Sequence, residues 1–265
     1  CMFINIGYNM NEINDILFKI NFKEFQECKI INFINTFGFD EGIKFTNFLK
    51  ATILHKNFDP NITFQELYEK TEKFLTIAVL NITKGITEYH NYKTTPNLCV
   101  LTSVRMSSNI PILFSPIIYD NNYYVDGALL DPFPYNYNKD TNKIGFWLFD
   151  QYEINFIKNS NSVYFVNNST DSFNYIFNLL KIMHVNYIKE YYKKIINNKL
   201  KNVILIDFDY KNVSFENFYV KLEDKINMFN IGMKKAKFFI KKHNKIIRKK
   251  YLANKYYYIW KNKTF

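Results

Sequence analysis

Cysteine, proline and glycine are scarce in this chain of 265 residues: three, six and seven respectively. Cys1, Cys28 and Cys99 form an odd, widely spaced set with no Cys-x-x-Cys pair. That argues against a disulfide framework and a structural zinc site, and makes a reducing compartment the default. His55, His90, His184 and His243 include no His-Glu-x-x-His and no i, i+4 pair, so spacing offers no metal site and no cofactor is expected. No apolar run reaches the length of a membrane-spanning helix. No secretory signal is visible, but the chain opens on Cys rather than Met. Upstream residues, with any targeting signal they carry, are therefore expected to be missing. The expected location is cytoplasmic, peripheral to membranes. Acidic residues are absent from Lys225 to Phe265, where thirteen Lys or Arg residues fall. The net charge is +11, so the positive charge belongs to this tail and the rest of the chain is slightly acidic.

What remains is globular in kind. Hydrophobic residues make up 48% and charged residues 22%, enough for a sizeable core. Asn, Lys, Ile, Tyr and Phe are heavily used, as AT-rich codons would dictate. Asn9 with Glu12, and Thr63 with Glu66, have capping-box spacing and predict helices to about Ile20 and Lys73. Gly7 ends a short helix over Met2 to Ile6. A helix after Gly42 carries Phe45, Phe48, Leu49 and Ile53, and another is predicted from Thr95-Pro96 to Met106. Strands are predicted at Phe74 to Ile82, Thr87 to Tyr92, Ile144 to Phe149 and Val203 to Phe208. A hairpin is expected from Ile117 to Asp126 around Asp120-Asn121-Asn122. Further helices are predicted over Asp171 to Ile196, Glu216 to Phe229, and from Ile231 onward. Strands alternating with helices predict an α/β fold with a mostly parallel sheet flanked by helices.

One stretch concentrates chemical interest: Tyr123-Tyr124-Val125-Asp126-Gly127-Ala128, followed by Leu129-Leu130-Asp131-Pro132-Phe133-Pro134. An aromatic and β-branched run ends on an acid, with glycine next. A carboxylate at a strand tip is rigidly aimed and open to a substrate, although an ordinary Asp-Gly turn explains the same residues. Asp131 lies near the same loop, where a second carboxylate could raise one pKa, but capping the turn before Pro132 is the simpler role. Gly38-Phe39-Asp40-Glu41-Gly42 imitates a nucleophile turn with Asp at its centre. Ser107 and Ser108 follow a helix without flanking glycines, so packing or capping suits them better. For Arg105 a structural ion pair is favoured over a lipid phosphate.

The span from about Gly38 to Pro134 resembles the patatin-like phospholipase family. The resemblance is carried by Ile62-Thr63-Phe64-Gln65-Glu66-Leu67-Tyr68, Thr95-Pro96, Arg105-Met106-Ser107-Ser108-Asn109-Ile110-Pro111, Phe114, Tyr124 to Ala128, and Pro134. Weaker similarity continues over Met2 to Glu12 and Leu205 to Gly232. The resemblance implies lipid acyl hydrolysis by a Ser–Asp dyad without histidine. A serine in a Gly-x-Ser-x-Gly elbow attacks the ester, and a glycine-rich loop binds the oxyanion. Asp126 aligns with the family's base, and Asp126, Gly127 and Ala128 form its motif.

The sequence departs from the family in lacking both the serine elbow and the glycine-rich loop. Met2 to Ile6 resembles the helix that follows the nucleophile, which places the missing serine just before Cys1. Either the chain is amino-terminally truncated, or it is a natural protein without half of the machinery. The chain alone is expected to hydrolyse nothing by this mechanism. Residues 1–232 are expected to form the acyl hydrolase domain, and residues 233–265 a basic, aromatic-rich helical extension. The expected partners are a phospholipid or other lipid ester and, through 233–265, an anionic membrane surface. A solvated helix face explains the lysines equally, and nucleic acid is disfavoured.

Overall fold

Asn9 closes its capping box. Its side chain accepts the amides of Asn11 and Glu12 at 2.9 and 3.0 Å, and Glu12 accepts the Asn9 amide at 2.8 Å. Thr63 and Glu66 repeat the arrangement. These local bonds fix two helix starts before any tertiary contact is needed. In this computed structural model the residues described are 1–25, 27, 29–140, 142–150, 188–189, 192–195, 197, 200, 202–208 and 220–261. They fall into two units. The first is Cys1–Lys139 with Val166–Tyr192 and Val213–Val220; the second is Asp140–Phe165 with Lys193–Asn212 and Lys221–Phe265.

The first unit contains helices α1 (Met2–Asn5), α2 (Met10–Lys19) and α3 (Ile30–Thr36), then strand β1 (Gly38–Asp40). Helices α4 (Ile43–His55) and α5 (Phe64–Thr71) follow, with strands β2 (Ile77–Asn81) and β3 (Ile86–His90) and helix α6 (Val100–Ser107). Strands β4 (Ile112–Phe114), β5 (Ile117–Tyr119) and β6 (Asn122–Asp126) come next. β1 and β4 pair in parallel. The other four strands form a sheet in the order β3-β2-β6-β5, antiparallel throughout. α6 lies against β2 and β6. Phe64, Ile62, Ile53, Leu67, Met106 and Val79 are almost fully buried at the centre of the core, which also takes in Met2 and Ile6 at the amino-terminal helix.

Two local expectations shift. The segment Thr95 to Cys99 does not begin a helix; α6 starts only at Val100. The reason is tertiary. The carbonyls of Pro96 and Leu98 accept the Gln65 and Phe64 amides at 3.0 and 3.1 Å, so the segment satisfies first-turn donors of α5 instead of building its own turn. The hairpin turn is also tighter than expected. Asp120 and Asn121 both have positive φ, 48° and 56°, and Asn122 already belongs to β6. This is a two-residue loop of the primed type, whose twist matches the strands it joins.

The second unit contains β7 (Gly145–Asp150) and β8 (Val203–Phe208), paired in parallel from Gly145↔Val203 to Asp150↔Phe208. Trp147 and Ile204 are buried there. One helix, α7, runs unbroken over Leu222–Lys261, in place of the two helices expected on either side of Asn230. A mid-helix glycine such as Gly232 costs only about 1 kcal/mol, too little to end so long a helix. α7 packs on β8, and Lys235 pairs with Asp207. The helix expected over Asp171 to Ile196 lies almost entirely outside the described residues. Among the described residues, no helix is long and apolar enough to cross a membrane. The chain is thus a mixed α/β protein with parallel strand pairs and flanking helices.

Candidate active site at the end of β6

Asp126 is the last residue of β6, paired with Val79 of β2. Its position is set from three directions. Its amide donates to the Asn109 carbonyl at 3.0 Å. Its carboxylate Oδ1 accepts the Ala128 amide at 2.9 Å. Gly127 and Ala128 turn into a 3-10 helix over Gly127–Leu129, with the Asp131 amide donating to the Gly127 carbonyl at 2.9 Å. Glycine is required after the acid because a Cβ there would lie 2.7 Å from the backbone of Ala78. The turn therefore packs directly on the neighbouring strand.

The carboxylate is half-buried, and burial pushes its pKa up, only partly offset by the Ala128 hydrogen bond. Among the described residues no cation pairs with it, and its second oxygen accepts no hydrogen bond. A desolvated carboxylate with one oxygen anchored and one unoccupied is a competent proton acceptor. Asp131 is not the cause of the shift. Its carboxylate accepts the Tyr89 hydroxyl, and its amide caps the turn.

The rival sites resolve into structural roles. Asp40 ends β1, and α4 starts at Ile43 after Gly42 in a left-handed conformation. This is a strand–turn–helix like the imitation expected from the sequence. Both Asp40 oxygens are occupied, however, accepting the Gly42 amide at 2.6 Å and the Glu27 amide at 2.5 Å. A carboxylate so bound is a poor nucleophile. Arg105 makes no ion pair among the described residues. It lies buried between the rings of Phe45 and Phe114, 5.4 Å from each centroid, and donates to the Glu41 carbonyl at 3.3 Å. Burial lowers its pKa while the charge of Asp40 opposes the drop. Ser108 turns its hydroxyl back to the Val104 carbonyl at 2.9 Å, which caps α6.

Two features escaped the sequence. Asn109, fully buried, holds the Asp126 amide through its carbonyl and the Ser115 carbonyl through its side chain at 2.8 Å. The second is a polar network on the sheet face that also carries Asp126. Buried Asn81 donates to Glu88 at 2.9 Å and to the Tyr124 oxygen at 3.2 Å. Tyr124 in turn donates to Glu88 at 3.2 Å. His90 lies between Glu88 and Ser103, at 3.4 and 3.1 Å. Burial and the charge of Glu88 push the Tyr124 pKa up to about 12. Ser103, His90 and Glu88 line up as hydroxyl, imidazole and carboxylate, but Ser103 is fully buried on the inner face of α6, so the set ties helix to sheet. An Asn at the end of the apolar β2 run, followed in β3 by Glu88 and His90 two residues apart, was the available sequence signal. Among the described residues no three His, Cys, Asp or Glu side chains cluster as metal ligands.

The chain is 33% identical over 159 residues to a protein described as probable lipid hydrolase 463L of Invertebrate iridescent virus 6, covering 56% of this chain and 54% of that one. It is 26% identical over 126 residues to uncharacterized protein R571 of Acanthamoeba polyphaga mimivirus, covering 46% and 41%. The chain thus spans about half the length, or less, of these relatives. The profile of the patatin-like phospholipases matches residues 2–138, which hold Asp126 and every element from α1 to β6. The chain belongs to the patatin-like phospholipase family.

Proposed function

We propose that this chain is the part of a lipid acyl hydrolase that carries the general base, Asp126, acting on a phospholipid or related lipid ester. The observation that carries the reading is the unoccupied, desolvated oxygen of Asp126 at the end of β6. In the reaction, a serine hydroxyl gives its proton to that oxygen as its own oxygen bonds to the ester carbonyl carbon. The ester C–O bond then breaks, and the leaving alcohol takes up the proton. Water, deprotonated in the same way, releases the fatty acid. The family membership and the similarity to a probable lipid hydrolase support this assignment.

We place the serine of this reaction in a Gly-x-Ser-x-Gly turn encoded upstream of Cys1, since residues 1–265 contain no such string. Sequencing the coding DNA upstream of Cys1 tests that placement. An in-frame stop codon there overturns it. In protein that includes the elbow, Asp126→Asn should cut release of labelled fatty acid by about 10⁴-fold, the scale lost when a triad acid is neutralised. Retained release removes Asp126 as the base.

The second reading is a non-catalytic module of the same fold that binds anionic membranes through residues 233–265. The acid-free lysine run there favours it. The two readings are compatible, since an enzyme acting on lipids gains from being held at a bilayer.

A further inference from the structure

α7 presents two faces. Met228, Ile231, Lys235 and Phe239 are half-buried, on the side from which Lys235 reaches Asp207 of β8. Roughly 150° around the helix, at 100° per residue, lie Leu222, Ile226, Met233 and Ile240. These four fall within about 40° of one another, and they are 57%, 45%, 41% and 56% exposed. An exposed apolar stripe more than four turns long therefore runs along this side, and its last member, Ile240, also borders a cleft with Asn142, Ile144 and Asn202. Lys234, Lys237 and Lys241 are also exposed and flank it on one side, within roughly 100° of its centre.

We propose that this stripe lies flat on an anionic lipid surface, with Leu222, Ile226, Met233 and Ile240 seated below the headgroups and Lys234, Lys237 and Lys241 among them. The proposal rests on the membrane association put forward for the extension, not on hydrolysis. It moves the contact amino-terminal to that extension, to begin at Leu222. Charge decides the occupant. The 4-7-7 spacing of the stripe would also suit a second copy of the helix. Self-pairing, however, would set these lysines against a flank whose acid is Glu223 alone, because no Asp or Glu follows Asp224. Like charges facing one another are destabilising, whereas anionic headgroups neutralise them. The apolar stripe explains what lysines alone do not: it adds burial that persists when salt screens the charge.

The test is vesicle co-sedimentation of the full chain, using phosphatidylcholine with and without phosphatidylserine. Wild type should bind the serine-lipid vesicles far better. The triple variant Ile226→Gln/Met233→Gln/Ile240→Gln should bind on the order of 30-fold more weakly, with unchanged far-UV dichroism because none of the three side chains is buried. Lys234→Gln/Lys237→Gln/Lys241→Gln should lose a comparable factor at low salt and less at high salt. Met233→Trp should shift its emission to the blue on serine-lipid vesicles only. Equal binding by the Ile/Met variant, with binding lost in the lysine variant, leaves electrostatic adsorption of the extension intact and overturns insertion of the stripe. No binding by wild type overturns both. A blue-shifted Trp without vesicles, in a dimer that the Ile/Met variant dissociates, makes the stripe an interface between copies and overturns the lipid assignment.

Discussion

The amide of Asp126 donates to the carbonyl of Asn109 at 3.0 Å, so the candidate base hangs from the loop that follows α6 as well as from its own strand. Two supports for one residue let the structure hold a carboxylate where burial disfavours its charge.

That burial has a measurable cost. The folded pKa of Asp126 is raised, so between its unfolded value and its folded value the native state binds more protons than the unfolded chain. Stability falls as pH rises through this window and stays lower above it. Asp126→Asn keeps an acceptor for the Ala128 amide and removes the charge. The variant should be more stable than wild type at neutral pH by about 1 kcal/mol. The difference should vanish below about pH 4, where both side chains are neutral. Urea denaturation at the two pH values measures it.

Gly127→Ala should do the opposite. A Cβ 2.7 Å from the Ala78 carbonyl carbon and oxygen meets backbone that cannot rotate away, so β2 or the turn must shift. A loss of about 2–3 kcal/mol is expected, read as a lower melting temperature. A variant as stable as wild type would mean that the turn does not pack on β2 as described.

His90 predicts acid sensitivity. Burial lowers its pKa, and the hydrogen bond to Glu88 only partly restores it. Below the unfolded pKa of about 6.5 the unfolded chain takes up a proton that the folded chain resists. Stability is therefore full above that pH and drops as pH falls toward the folded value. For Glu88, burial acts upward, but hydrogen bonds from Lys84, Asn81 and His90 together hold the pKa down, which adds a second loss at lower pH. His90→Gln should flatten the first step and leave the second. Chemical denaturation across a pH series separates them.

Phe37 ends α3 in the left-handed region, φ 64°, with its side chain 64% exposed. Glycine adopts that conformation without strain. Phe37→Gly should therefore raise stability by about 1 kcal/mol, unlike most large-to-small changes. Destabilisation in a thermal melt would show that the exposed ring contributes more packing than its surroundings indicate.

What the sequence revealed was mostly local. Asn9 with Glu12, and Thr63 with Glu66, are legible because a capping box is closed by residues three apart. Tyr123 to Asp126 reads as a strand tip because an aromatic and β-branched run and the following Gly lie side by side. Thr95-Pro96 misleads because the carbonyls of Pro96 and Leu98 serve a helix about thirty residues earlier. The break expected near Asn230 does not occur, since packing on β8 outweighs one glycine. Asn109 reads as a helix stop, and its clasp on Asp126 depends on a strand that arrives only later in the chain. Arg105 reads as one half of an ion pair, yet its neighbours are Phe45 and Phe114, which no spacing rule connects to it.

The primed turn at Asp120-Asn121 works as a ruler for the carboxylate of Asp126, five residues on. Because a strand alternates its side chains with a period of two, adding one residue to that loop would rotate β6 by half a repeat against β5. Val125 would then take the place of the carboxylate, and the acid would point away from the space it now faces. The candidate base is thus placed by counting as much as by contact, and a homologue with a longer loop here must restore the count with a bulge to keep a carboxylate at this position.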